Sequence, residues 1–266
     1  MGRVIAISNQ KGGVGKTTTA VSLAAALAIA ERSTLLIDID PQCSATKGLG
    51  RNPGPGGDMY GILSGETPME EILIPSELEY LSVAPASRDL VGIELEIVAV
   101  AGREYRLKEG IAAIRDRYEF ILIDCPPSLG LLTVNALCAA DGILIPVQCE
   151  YLALEGISQM VETLQRIQSS LNPSLVLEGV LLTMFDERTN LSRQVVNDIK
   201  EFFKDKVYKS VIPRNVRLGE APSFGRPILL YDIKSKGAEA YLNLAREVIR
   251  QHEKTSTRQR AEQPHP

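Results

Sequence analysis

The segment Lys11-Gly-Gly-Val-Gly-Lys-Thr-Thr18 holds two lysines, three glycines and two hydroxyl side chains in eight residues. That mixture suits the binding of an anion. Glycines let successive backbone N–H groups turn inward and approach a phosphate closely, and the start of a helix adds partial positive charge. Lys16 is placed to reach β- and γ-phosphates, and the Thr17 hydroxyl to ligate Mg2+. The strict pattern of such loops needs glycine at position 10, where Gln10 stands, and a second lysine, Lys11, opens the loop instead. The expected nucleotide contacts are therefore Lys11, Gly12, Gly13, Val14, Gly15, Lys16, Thr17 and Thr18.

Two further segments carry acids at the ends of apolar runs: Leu36-Ile-Asp-Ile-Asp-Pro-Gln42 and Ile121-Leu-Ile-Asp-Cys-Pro-Pro127. Their use depends on the elements that carry them. Val4–Ser8, Thr34–Ile39, Tyr80–Ala84, Phe120–Ile123, Gly142–Val147 and Leu177–Thr183 are short, nearly continuous apolar runs of the kind buried on both faces of a parallel sheet. Val207–Ile212 and Pro227–Leu230 also read as strands. Helices are predicted from Lys16 to Ala30, along the stripe from Leu154 to Ile167, along the stripe from Leu191 to Phe203, and from Gly237 to Gln251. Alternating strands and helices predict one doubly wound α/β domain of the P-loop NTPase kind, a mostly parallel sheet with helices on both faces. In such sheets ligands bind beyond the carboxyl ends of the strands. Asp38, Asp40 and Asp124 then share one edge with the loop. Asp124 suits an acid that holds Mg2+ through water, and Thr17, Asp40 and Asp124 form the expected metal set.

Composition narrows the alternatives. The chain has 266 residues, 44% hydrophobic and 23% charged, which is ordinary for a globular protein. The domain is expected over residues 1–250, followed by a polar, disordered tail over 251–266. No apolar run is long enough to span a membrane and no secretory signal is visible, so a cytoplasmic protein is expected. Cys43, Cys125, Cys138 and Cys149 form no C-x-x-C pair, and the two histidines, His252 and His265, lie near the C-terminus. Zinc sites and triad hydrolysis by a histidine base are therefore not expected. The net charge of −4 is uneven: residues 186–260 carry +6 and the remainder −10. Between Lys206 and Lys236 seven Lys/Arg face only Glu220 and Asp232. Such asymmetry suggests a basic face on an acidic protein.

The loop, together with Asp38-Ile-Asp-Pro-Gln42, Asp124-Cys-Pro-Pro-Ser-Leu-Gly130, Pro146-Val-Gln-Cys-Glu-Tyr151, Glu155-Gly156, Ile212-Pro-Arg-Asn-Val-Arg-Leu218, Glu220-Ala-Pro-Ser223 and Gly237-Ala238, resembles the deviant Walker A ATPases of the ParA/MinD group, and most closely their chromosomal Soj-type branch. The resemblance runs from Val4 to about Ile249. It implies an ATP- and Mg2+-dependent ATPase, slow and stimulated by a ParB-type partner. Lys11 matches the lysine that crosses a dimer interface to the partner's nucleotide, and Gly12 the glycine that must be small for two subunits to close face to face. Asp40 matches the aspartate that positions or deprotonates the attacking water. Lys11, Lys16 and Asp40 are thus the expected catalytic set, and Pro213 and Asn215 the expected adenine contacts. In such relatives the ATP-bound homodimer binds double-stranded DNA without sequence preference, so a nucleoid-associated protein is implied. Phosphate contacts suffice for that binding, and Arg188, Arg217 and Arg226 are the candidates. Cys43 stands where relatives usually have a glycine or another small residue. Related readings share the loop. A MinD-like membrane-cycling ATPase would need an amphipathic C-terminal helix, and an iron–sulfur reductase would need bridging cysteines such as Cys125 and Cys138. A ParA-like positioning ATPase acting on another cargo shares it as well.

Overall fold

The computed structural model describes residues 2–151 and 153–262; the side chains of Glu155 and residues 256–262 are not described. Seven strands form one sheet: β1 (Arg3–Ile7), β2 (Thr34–Asp38), β3 (Ile74–Pro75), β4 (Leu81–Ala84), β5 (Phe120–Asp124), β6 (Gly142–Gln148) and β7 (Val176–Thr183). Their order is β3-β4-β2-β5-β1-β6-β7, and every neighbouring pair is parallel except β3 with β4. The central strands read Arg-Val-Ile-Ala-Ile, Thr-Leu-Leu-Ile-Asp and Phe-Ile-Leu-Ile-Asp, and β2 and β5 are buried at every position. Burial on both faces is the reason these runs are continuous rather than alternating.

Helices cover each face. On one side, α1 (Lys16–Ile29) packs on Ile5, Ile7, Leu36, Leu122 and Leu144, with the terminal helix Lys236–Glu262 beside it through Tyr241, Leu244 and Val248. The alanine-rich sequence of α1 is buried nearly all round because it lies between sheet and helix. On the other side the Leu131–Ala139, Ala153–Ser170 and Asn190–Phe203 helices cover Val4, Ile121, Ile143 and Val180. The chain order reverses beside β1, whose neighbours are β5 and β6, and the crevice at that switch point is where such sheets take ligands.

Two segments depart from the sequence reading. Val207–Ile212 is not a ladder strand. It touches β7 only through the single bridge Val180 to Val207 and hydrogen bonds such as Ile212 N–H to Leu182. The reason lies in the terminal helix: the Glu247 carboxylate accepts the backbone N–H groups of Lys209 (2.8 Å) and Ser210 (2.7 Å), withdrawing them from any ladder. Pro227–Leu230 is also not a strand, because Ile228–Tyr231 makes a helical turn. The Pro227 carbonyl accepts from Leu230 and Tyr231, and the turn buries Ile228 and Leu229 against the α1 layer. A four-residue apolar run does not distinguish the two periods.

The expected tail is helical as far as Glu262, continuing the terminal helix. The segment has no proline or glycine before Pro264 and is rich in Gln, Arg, Lys and Glu, so an established helix propagates through it without a new nucleus. Residues 263–266 lie outside the described residues.

The turn at Ala221–Phe224 docks by a backbone-to-backbone contact. Gly50 and Gly225 both adopt left-handed φ (+63° and +61°), and a Cβ at Gly225 would lie 2.8 Å from the Gly50 Cα. Gly225→Ala is expected to destabilise the nucleotide-free protein by about 1–3 kcal/mol, read as a lower urea midpoint. An unchanged midpoint would show that this contact yields freely.

Candidate nucleotide-binding site

The loop leaves β1 at Ser8 and is fastened before it reaches its first glycine. Asn9 Nδ2 donates to the Pro146 carbonyl of β6 (2.8 Å), and Asn9 Oδ1 accepts the Lys11 N–H (3.0 Å). Gly13 (φ +75°) and Gly15 (φ +89°) supply the left-handed turns that aim the backbone at the crevice. The buried Val14 carbonyl accepts the Thr183 hydroxyl from the end of β7 (2.8 Å). A Cβ built at Gly12 or Gly13 would meet nothing within 4 Å, so the space in front of the loop is open. α1 then starts at Lys16, giving the loop a helix N-terminus.

Lys16 is buried, and its ammonium donates to the Lys11 carbonyl (3.1 Å). Burial lowers its pKa, opposed chiefly by the neighbouring Asp124 carboxylate and more weakly by Asp40. Asp124 is fully buried, and among the described residues neither carboxylate oxygen completes a hydrogen bond. The Thr17 side chain faces it and Lys16 adds attraction. Burial and the neighbouring Asp38 charge nonetheless push the carboxyl well above the usual range. A buried acid with both oxygens unpartnered is expensive unless a cation meets it. Together with the Thr17 hydroxyl and the open cradle, that fits a hard divalent cation held by oxygen, as Mg2+ is with nucleotide phosphates.

Asp38 and Asp40 divide their roles. Asp38 pairs in register with Asp124 across β2 and β5. Its oxygens accept from Asp40 N–H (3.1 Å), Thr46 N–H (2.8 Å) and the Thr46 hydroxyl (2.7 Å). Those bonds hold the short helix α2 (Ser44–Gly48), so Asp38 shapes the edge rather than facing a ligand. Burial raises its carboxyl to about 6. Asp40 has one oxygen on the Gln42 N–H (2.9 Å) and closes the turn that Cys43 follows with φ +56°.

Pro213 and Asn215 line a cavity of about 370 Å³ together with Gly15, Thr18, Met184 and Tyr241. The structure therefore brings the expected adenine segment beside the loop. Thr183, Met184 and Tyr241 are not singled out by the sequence; the end of β7 on the ligand edge is the available signal for Thr183 and Met184. Tyr241 shares a hydrogen bond with Thr19 of α1 (3.1 Å). The three arginines lie on the surface around the 184–228 region, each ion-paired: Arg188 with Asp186 (2.7 Å), Arg217 with Glu220 (2.9 Å) and Arg226 with Glu77 (3.7 Å). Among the described residues Lys206, Lys209, Lys234 and Lys236 have no ion-pair partner.

The chain is similar to known proteins along nearly its whole length. A family profile described as an AAA domain matches residues 2–177. The chromosome partitioning protein ParA of Myxococcus xanthus is 55% identical over 261 residues, covering 98% of this chain and 92% of its own. The sporulation initiation inhibitor protein Soj of Bacillus subtilis is 55% identical over 249 residues, 93% of this chain and 98% of its own. Among solved structures, a Mycobacterium smegmatis protein described as cobyrinic acid a,c-diamide synthase, with bound ATP analogue and magnesium, superposes with TM-score 0.82 at 39% identity, covering 94% of this chain and 95% of its own. The cell division ATPase MinD of Pyrococcus furiosus superposes with TM-score 0.79 at 27% identity, covering 94% and 100%.

The two raised carboxyls make a pH-dependent statement. Asp38 and Asp124 keep their protons to higher pH folded than unfolded, so the folded chain binds more protons in that window. Their contribution to stability is complete at low pH and is lost as pH rises through the folded values, about 6 for Asp38. Asp124→Asn is therefore expected to raise the Tm of the nucleotide-free protein near neutral pH, to weaken the fall in stability with pH, and to remove most of the Mg2+-dependent gain in ATP affinity. A lower Tm would show that the Asp124 charge is already compensated.

Proposed function

The chain belongs to the ParA/Soj family of chromosome-partitioning ATPases, and from that premise we propose that it works as an ATP-operated dimer clamp on DNA. The observation that carries this reading is Gly12. It has no intrachain need to be glycine: its φ is not in the left-handed region, it is exposed, and a Cβ would meet nothing within 4 Å. A demand for smallness there would have to come from outside the subunit, as face-to-face closure of two loops would impose. Lys11, next to it, would reach the partner's nucleotide.

Phosphoryl transfer needs positioning, charge neutralisation and a placed water. Gly12 to Thr18 and the α1 N-terminus would cradle the phosphates. Lys16 would leave the Lys11 carbonyl for the β- and γ-oxygens. Mg2+ would supply charge neutralisation between phosphates and enzyme, with Thr17 and Asp124 as its holders. Asp40, with one oxygen free of the turn, would orient the water and take its proton. The cavity bounded by Pro213 and Asn215 would take the adenine. A lysine acting in trans makes hydrolysis wait for dimerisation, which supports a slow intrinsic rate raised by a ParB-type partner. The lysines without ion-pair partners, with Arg188, Arg217 and Arg226, would meet double-stranded DNA through its phosphates alone, and so place the protein on the nucleoid.

Three substitutions separate the steps. Lys16→Ala should abolish binding of a fluorescent ATP analogue. Asp40→Ala should bind ATP and accumulate as a dimer, whereas Gly12→Val should bind ATP and stay monomeric; light scattering in ATP reads both. A monomeric Asp40→Ala protein would contradict the clamp.

DNA binding is expected to follow the nucleotide. The dimer trapped by Asp40→Ala should bind duplexes of unrelated sequence alike, with a log–log salt slope of about −0.9 per phosphate neutralised. Arg217→Glu should weaken all of them equally at unchanged ATP affinity. Equal affinity of the ATP and ADP forms at one salt concentration would refute the coupling.

A further inference from the structure

We propose that Thr163, in the middle of the Ala153–Ser170 helix, is a positioning residue for Lys11, acting through the side chain of Gln10. The inference rests on the trans-acting role of Lys11 and adds the device that aims it.

Gln10 occupies the position where the strict phosphate loop has glycine. Its side-chain amide donates to Thr163 Oγ1 at 3.0 Å. Thr163 is buried, and its hydroxyl proton is directed to the Gln159 carbonyl one turn earlier, also at 3.0 Å. The threonine oxygen therefore offers Gln10 a lone pair in a fixed direction. Thr163 is conformationally stiff as a β-branched residue and sits mid-helix, away from the fraying ends.

The consequence falls on Lys11. Its N–H is held by Asn9 Oδ1 (3.0 Å), and its carbonyl accepts the Lys16 ammonium (3.1 Å). Asn9 is itself tied to β6. Fixing Gln10 on the other side leaves the Lys11 main chain held by β6, by α1 and by the Ala153–Ser170 helix at once. Among the described residues the Lys11 ammonium forms no ion pair or hydrogen bond within the subunit. The main chain is anchored, and the ammonium of this half-buried lysine is left uncommitted within the subunit. A lysine that acts across an interface needs that arrangement, because a mobile main chain would blur its reach. The glutamine that breaks the strict loop pattern thus has a use: a glycine at position 10 has no side chain to make this tether.

The test compares Thr163→Val, which keeps shape and removes the hydroxyl, with Thr163→Ser, which keeps the hydroxyl. Three readouts are taken: amide hydrogen exchange of the segment spanning residues 9–13 in nucleotide-free protein, affinity for a fluorescent ATP analogue, and dimerisation in a non-hydrolysable ATP analogue with Mg2+. Thr163→Val should speed exchange and weaken dimerisation by roughly tenfold, the scale of one lost hydrogen bond, with ATP affinity within about twofold. Thr163→Ser should match the parent in all three. Gln10→Ala should copy Thr163→Val, and the double variant should be no worse than either single one. Parent-like dimerisation and exchange in Thr163→Val would overturn the proposal, as would additive losses in the double variant or an equal loss in Thr163→Ser. Lys11→Ala provides the separate control. If it dimerises like the parent, the trans role of Lys11 fails; if it fails to dimerise while Thr163→Val is normal, only the positioning inference falls.

Discussion

A buried carboxyl with little beside it but Thr17 and Lys16 sits at the centre of this molecule. Asp124 ends the central strand β5, fully buried, with Asp38 beside it in register and Lys16 near enough to be felt but not bonded to it. The neighbouring side chains answer to that buried carboxyl. Lys16 gives up part of its own basicity to burial there. Thr17 turns its hydroxyl toward the acid. Asp38, which would otherwise add a second bare charge, is covered by three donors from Asp40 and Thr46 and holds its proton to about pH 6.

The segment from Ile212 to Tyr231 links that edge to the surface. Pro213 and Asn215 border the cavity beside the loop, and Leu218 separates it from a second space of about 250 Å³ bounded by α1, α2 and Arg226. Leu218 also lies against Gly237 at the start of the terminal helix, where a Cβ would come within 2.8 Å of it. Arg217 is one residue away, outward, bonded to Glu220. The cavity and the basic surface thus share one short segment. Coupling through a few packed residues of this kind needs no large motion.

Much of this was legible in one dimension, for identifiable reasons. A phosphate cradle requires glycines and a lysine at short fixed spacing, so a run such as Lys11–Thr18 is visible from residue type alone. Parallel strands buried on both faces are continuous apolar runs, and β1, β2, β5, β6 and β7 announced themselves within a residue or so. Asp40 and Asp124 followed because strand ends share an edge. Where short apolar runs lacked a period, as at Pro227–Leu230, strand and helical turn were indistinguishable. At Val207–Ile212 a β-branched run was denied its ladder by a distant acid, Glu247, which no local pattern reveals.

The sequence by itself determined the class of sheet, the glycine- and lysine-rich loop that follows β1 and which acids stand on its edge, because each follows from residue type and local spacing. Only the tertiary structure decided which of those acids is satisfied and which is bare. Asp38 and Asp124 end β2 and β5 alike, yet α2 folds back to give one three donors while the other has only the Thr17 side chain set against it. The tertiary structure also decided that Gln10 is a tether to Thr163, since 153 residues separate them along the chain. Hydrogen bonds and burial belong to neighbours in space, and those neighbours exist only once β1, β6 and the Ala153–Ser170 helix have packed.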